Sequence, residues 1–270
     1  MRICIIGSGG LVGSRLSQEL GANHEIIALN RVSGDVVNMD VDVLARQLGH
    51  IDCIVNCAAV MDQSNVANLL ATNAHGALNV AKLSVLLKAK LIHLSSVSCE
   101  QHPENEYFGA YGISKLTGEL LVKDYLESKG SEYCVARCSQ IYDLDGKAHG
   151  SQPLFYNLLA NANKNGKVTL YGNKNVMRNY VSLETVIKSI CYILENKVEP
   201  FGYILGKNIS MTELIDKISE SLDEVIEVTW DKDKKSLKTI YIPKACFNFS
   251  RQFETNLIDD IKEIIAREAY

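Results

Sequence analysis

An α/β protein built on a doubly wound parallel sheet is what this sequence predicts, and three observations predict it. Short apolar runs of strand length alternate with helical patterns through the first half of the chain. A glycine-rich turn joins the first apolar run to the first helix. The composition, 47% hydrophobic and 22% charged over 270 residues, supports a large packed core and excludes a disordered chain. That length predicts one large domain with a smaller lobe appended.

The elements follow in order. Arg2–Ile6 is an apolar strand ended by glycines, and Leu11–Leu20 is a helix stopped by Gly21. Glu25–Leu29 is the second strand; a weaker third is expected at 36–39, then a short helix at Val41–Leu48. Cys53–Asn56 is the fourth strand, and 64–88 is a long helix rich in Ala, Leu and Val at helical spacing. A fifth strand at 90–94 ends in Ser95-Ser96; a helix at 110–128 and a sixth strand at 132–137 follow. Past Tyr142 the alternation weakens. Residues 143–150 read as a loop, 153–162 as a helix, 167–170 as a strand, and 180–194 as a strand end entering a helix. Smaller elements stand at 201–205, Met211–Leu222 and Leu257–Ala266. The expected division is a nucleotide-binding domain over 1–142, rejoined by about 179–197, and a small α+β substrate lobe over 143–178 and 198–270.

Several function classes are excluded. A net charge of −4 with scattered Lys and Arg is no nucleic-acid footprint, and the charged run at 231–235 contains two acids, as a solvated loop does. The eight cysteines (Cys4, Cys53, Cys57, Cys99, Cys134, Cys138, Cys191 and Cys246) form no Cys-x-x-Cys pair. No His pair stands at zinc-ligand spacing, so no metal is expected. Several cysteines lie in apolar strands, as small hydrophobes in a reduced setting. The apolar run after Met1 is too short for a signal peptide and no stretch reaches membrane-spanning length, so a cytoplasmic protein without a membrane partner is expected.

Gly7-Ser-Gly9-Gly10-Leu11-Val12-Gly13 sits where the first strand meets the first helix. Glycines at this spacing permit a tight turn, close approach of a pyrophosphate, and close helix–strand packing. The helix N-terminus offers unpaired N–H groups and the positive end of its dipole to the phosphates. The expectation is a Rossmann-type sheet holding NAD or NADP. An acid at the end of the second strand holds the NAD ribose; Leu29-Asn30-Arg31 has none, which favours NADP with Arg31 on its 2′-phosphate. A solvated Arg31 is the alternative. Asp40 either accepts from the adenine amino group or caps the helix that starts at Val41.

Tyr111-Gly-Ile-Ser-Lys115 opens the helix after the fifth strand, and positions i and i+4 share a face. A phenol titrates near ~10, and a neighbouring ammonium favours the phenolate and lowers that value. Lys115 can also hold the nicotinamide ribose; the alternative is a half-buried face with a snorkelling Lys. Ser96 ends a strand where sheet ligands bind, so its hydroxyl can orient a substrate carbonyl while Tyr111 passes a proton. A turn or cap is the alternative for Ser96.

With these residues in order, the chain resembles the extended short-chain dehydrogenase/reductase superfamily, of the NAD-dependent epimerase/dehydratase type. The resemblance covers nearly the whole chain. It rests on Gly7-x-x-Gly10-x-x-Gly13, Asn56-Cys57-Ala58-Ala59, Asn73-Ala-His-Gly76-Ala-Leu-Asn79, Ser95-Ser96, Tyr111-x-x-x-Lys115, Arg137-Cys-Ser-Gln140-Ile-Tyr142 and Arg178-Asn-Tyr-Val-Ser-Leu-Glu184. It implies cofactor contacts from Gly7, Gly9, Gly10, Leu11, Val12, Gly13, Asn30, Arg31, Asp40, Val41, Cys57, Ala58, Ala59, Tyr111 and Lys115. Ser98, Gln140, His149 and Arg178 fall on the substrate side, Arg178 as a ligand of a nucleotide-sugar diphosphate. His149 can add an acid–base group or be a solvated loop residue.

The short C-terminal part is most similar to the dTDP-4-dehydrorhamnose reductase-like group. Dehydratases of the superfamily carry acids directly after the catalytic Ser or Thr, and Val97-Ser98 there argues against dehydration. The rhamnose-type reductases carry an Asp at that point, which this chain lacks. The implied reaction is NAD(P)H-dependent reduction of a keto group on a nucleotide-linked sugar, with Tyr111 as proton donor, Ser96 orienting the oxygen and Lys115 tuning Tyr111. An NAD-dependent nucleotide-sugar epimerase is the alternative, and a non-catalytic dinucleotide-binding regulatory or assembly protein a further one. The helices at 64–88 and 110–128 carry apolar surface for a homodimer or for internal packing.

Overall fold

The structure is a computed structural model that describes residues 1–102, 105–173, 176–243 and 247–270; Cys246 lies outside them. In chain order its elements are β1 (Arg2–Ile6), α1 (Leu11–Leu20), β2 (Glu25–Leu29), α2 (Val41–Leu48), β3 (Cys53–Asn56), α3 (Val66–Leu70), α4 (Ala77–Leu87), β4 (Lys90–Ser96), α5 (Ala110–Lys129), β5 (Tyr133–Cys138) and β6 (Gln140–Tyr142). Then come α6 (Pro153–Asn165), β7 (Lys167–Tyr171), β8 (Met177–Ser182), α7 (Leu183–Glu195), β9 (Phe201–Ile204), β10 (Lys207–Ser210), α8 (Met211–Leu222), β11 (Glu227–Asp231) and α9 (Leu257–Ala266).

The large sheet has the order β2-β1-β3-β4-β5-β9 with every neighbouring pair parallel. Ile3, Cys4, Ile5 and Ile6 are all fully buried, because β1 lies between β2 and β3 with helices on both faces. One face packs on α1 and α7 through Leu16, Leu20, Val186 and Ile190. The other packs on α4 and α5 through Val80, Leu83, Val122 and Leu126.

Three expectations are corrected. Residues 36–39 form a turn instead of a third strand: the Val36 carbonyl, which a ladder would need, accepts from Asn79 Nδ2 on α4 at 3.0 Å. The long helix is interrupted by a π-helical turn, Ala71–Gly76, between α3 and α4. The Asn73 side chain explains the wider turn: it donates to Ser114 Oγ and exchanges two hydrogen bonds with the Val60 backbone. The strand near 201–205, expected in the smaller lobe, closes the far edge of the large sheet as β9, and the backbone at Phe247 and Phe249 covers its outer edge.

The rest of the C-terminal half carries a three-stranded sheet, β10-β8-β6, and a parallel pair, β11-β7. Around them α6, α8 and α9 enclose a separate core that includes Phe155, Leu159, Ile215, Ile218, Ile261 and Ile264. Among the described residues no helix is long and apolar enough to cross a membrane.

Candidate active site

The turn after β1 is shaped by its glycines. Gly7 has φ of +83°, and a Cβ there would lie 2.6 Å from the Ala58 amide nitrogen. A Cβ on Gly13 would collide with the Gly7 carbonyl, so α1 can approach β1 this closely only with glycine there. Gly9 has only the Asn30 Cβ near, at 3.8 Å, leaving a path for a ligand. No side chain caps α1 at Gly10, so its first amides remain available.

A cavity of about 420 Å³ opens there. Gly7, Gly9, Gly10, Asn30, Arg31, Cys57, Ala58 and Ala59 all line it, from three separate strand ends. The other expected cofactor residues at the turn do not: Leu11 and Val12 pack into the core beneath, and Gly13 serves the helix–strand contact. Asp40 caps α2, its Oδ1 accepting from Val43 N at 3.0 Å, and Val41 packs in the core, so the capping alternative is the one observed.

The acid that does line the cavity is Asp35, unmarked in the sequence reading. Asn38 Nδ2 donates to it at 2.8 Å and Val37 N at 3.1 Å, and with Arg31 nearby these hold its carboxyl below the usual range. The sequence signal was Gly34-Asp35-Val36, close behind a strand end. Asn30 Oδ1 accepts from Val32 N and Ser33 N at 2.9 and 3.1 Å, an Asx turn that spends the Asn30 side chain and leaves Arg31 exposed at the cavity mouth.

Two glycines set α5 against the strand ends. A Cβ on Gly112 would collide with the Ser98 carbonyl, and one on Gly118 with that of Asn73. Tyr111 therefore starts the helix with its phenol near the Ser96 side chain. Ser96 Oγ accepts from Ser98 N at 3.1 Å, capping the short 3-10 turn Val97–Cys99, so the capping alternative is observed for Ser96. Lys115 is 2% exposed and donates to the Leu94 carbonyl at 2.7 Å.

The electrostatics differ from expectation. Burial pushes the Tyr111 phenol up, partly offset by the nearby Ser96 hydroxyl, and Lys115 is not among the groups that shift it. The ammonium is engaged by the strand carbonyl, and its own pKa is lowered by burial. Around Lys115 the thiols of Cys57, Cys99 and Cys138 are each pushed up to about 12 by burial and stay neutral. Cys57 also lines the cavity, whereas Ser96, Tyr111 and Lys115 do not.

The substrate-side residues are less assembled. Ser98 contributes backbone at the Gly112 contact. Gln140 donates through Nε2 to Gln152 Oε1 at 2.9 Å, and its own Oε1 is buried without a partner. Arg178 is 1% exposed. Its Nη1 donates to the carbonyls of Met177 and Lys238, and its guanidinium lies 5.6 Å over the Tyr107 ring. A strap at 238–242 covers it, tied down by Ile240 N to the Met177 carbonyl at 3.0 Å and by a bridge from Ile240 to Asn105. His149 is exposed; its contacts are Asn157 and Tyr156 on α6, not Ser96 or Tyr111.

Comparison with known proteins agrees with this architecture. The family model described as "NAD dependent epimerase/dehydratase family" matches residues 3–206. A Methanocaldococcus jannaschii protein named "Putative UDP-glucose 4-epimerase" is 24% identical over 300 residues, covering 97% of each chain. A dTDP-4-dehydrorhamnose reductase of Mycolicibacterium smegmatis is 31% identical over 156 residues, 52% of this chain and 46% of that one. Among solved structures, a Bacillus cereus UDP-glucuronic acid 4-epimerase mutant in complex with UDP-4-deoxy-4-fluoro-glucuronic acid and NAD superposes with a TM-score of 0.77 at 18% identity, covering 100% of both chains. A Bacillus anthracis dTDP-4-dehydrorhamnose reductase in complex with NADP gives 0.71 at 21% identity, covering 85% of this chain and 83% of that one. The chain belongs to the NAD dependent epimerase/dehydratase family, and so to the NAD(P)-dependent enzymes of the extended short-chain dehydrogenase/reductase type.

Proposed function

We propose that the chain reduces a keto group on a nucleotide-linked sugar, of the 4-keto class, with NADPH preferred over NADH. One observation carries this: Tyr111 opens α5 with its phenol near Ser96, where burial keeps it protonated, the state of a proton donor. The cavity suits a dinucleotide, since its glycines leave open the space that side chains would fill. Bound NADPH supplies the hydride to the carbonyl carbon. Ser96 orients the keto oxygen, Tyr111 donates its proton there, and Lys115 holds the nicotinamide ribose. The glycine turn and the start of α1 take the pyrophosphate, and Arg31 the 2′-phosphate.

The smaller part of the molecule receives the substrate in this proposal, with Arg178 on the diphosphate and Gln140 on the sugar side. Arg178 becomes available when the Lys238 carbonyl leaves it. Loss of turnover in Tyr111→Phe with NADPH affinity retained is the expected result; full activity in that variant overturns the assignment.

The full-length likeness to an epimerase, against a half-length likeness to the reductases, favours one second reading: an NAD-dependent nucleotide-sugar epimerase. Denaturing freshly purified protein separates the two, because stoichiometric trapped NAD marks the epimerase and an empty protein that prefers NADPH marks the reductase. The trio of Ser96, Tyr111 and Lys115 weighs against a purely regulatory binding protein. A second copy of the chain is the proposed partner for the exposed apolar face formed by Val66 and Leu70 on α3 with Ile113 and Leu120 on α5. Leu120→Glu then yields monomers by light scattering; a monomeric parent protein sinks that idea.

A further inference from the structure

His93 lies on β4, one residue before the carbonyl that holds Lys115, and is 1% exposed. Its register partner on β3 is Asn56. The Asn56 amide has one possible orientation: Oδ1 accepts from Ala58 N at 3.1 Å, so Nδ2 is the group 3.0 Å from His93 Nδ1. A donor at Nδ1 makes that nitrogen the acceptor, and the ring proton then belongs on Nε2. Nε2 is buried and has no partner. Such an orphaned donor costs free energy that an apolar side chain would avoid, so its presence in a packed strand asks for a reason.

The surroundings supply one. Ala58 is wall of the dinucleotide cavity, and Lys115 crosses β4 at the next residue. The chain Ala58–Asn56–His93 therefore links the cavity wall to the Lys115 chamber through the sheet. We propose that His93 is a positioning residue of the reaction centre: locked by Asn56 as a neutral Nε2–H imidazole, it registers Lys115 against the cavity wall and leaves Lys115 the sole cation there. This rests on the proposed role of Lys115 at the nicotinamide ribose. Burial and the Lys115 charge both hold the His93 pKa well below the ordinary 6.5. Lys115 in turn faces Cys57, Cys99 and Cys138, all neutral, and Glu119 one helical turn away on α5.

The experiment is long-range ¹H–¹⁵N NMR of the histidines in the whole protein, combined with NADPH titration. One imidazole, lost in His93→Gln, remains in the Nε2–H form at a pH where a free imidazole is charged. In Lys115→Met the same ring titrates at higher pH than in the parent. NADPH affinity falls about tenfold in His93→Phe and recovers in His93→Gln, whose amide can both accept from Asn56 and donate. A His93 that titrates near its ordinary pKa, or carries its proton on Nδ1, overturns the proposal even if His93→Phe does not fold. Unchanged NADPH affinity and pH dependence in His93→Phe, with affinity lost in Lys115→Met, overturns it alone. Unchanged affinity in Lys115→Met overturns the Lys115 assignment and this proposal with it.

Discussion

The glycine-turn cavity and the Arg178 region differ in readiness. The cavity is open, its floor set by backbone contacts at Gly7 and Gly13 and its mouth by the Asn30 turn. Arg178 is shut away, its guanidinium held by main-chain carbonyls under the 238–242 strap. A preformed site binds without reorganisation, whereas a covered one must first exchange internal hydrogen bonds for ligand ones. Under the proposed function, the contrast means a cofactor site ready in the free protein and a substrate site completed on binding.

Four measurements break or sharpen that contrast. The largest effect belongs to the proposed reaction centre: Tyr111→Phe loses roughly 10²–10⁴-fold in turnover while NADPH titrates as before. Gly7→Ala tests the preformed cavity. Its Cβ would press on the Ala58 backbone at a positive φ, so a loss of about 1–3 kcal/mol in unfolding free energy and of NADPH binding is expected. A variant as stable and as tightly binding as the parent would show that the turn is not constrained.

Arg31→Ala is subtler: NADPH affinity falls about tenfold with NADH affinity nearly unchanged, and equal losses would remove Arg31 from the 2′-phosphate. The smallest signal comes from the strap. Adding a nucleoside diphosphate should speed amide exchange at Thr239 and Ile240, whose backbones tie it to Glu106 and Met177. Exchange that does not respond would mean Arg178 stays covered and is a structural residue.

Most of the large sheet was legible because its inner strands β1 and β3 are buried on both faces and read as apolar runs. The failures have local causes. The run at 36–39 looked like a strand, but its Val36 carbonyl went to Asn79 on a helix 43 residues away. The π-helical turn left no mark in the spacing, since Asn73 bends the helix through partners at Val60 and Ser114. β6 and β10 are short and pair only with β8, so nothing in their own residues announces them. Asp40 and Asp35 were both acids after the second strand, and only packing showed which one caps a helix and which lines the cavity.

The sequence by itself determined most strands and helices of the large sheet, the glycine turn, and the Ser96, Tyr111 and Lys115 positions, because each is a contiguous pattern whose periodicity or spacing acts within a few residues. The tertiary structure decided what those groups meet. It turned Lys115 to the Leu94 carbonyl, raised the Tyr111 pKa where a neighbouring cation alone would have lowered it, and covered Arg178 with a strap about 60 residues further on. Burial, register and charge environment are sums over distant segments. No local stretch of chain contains them.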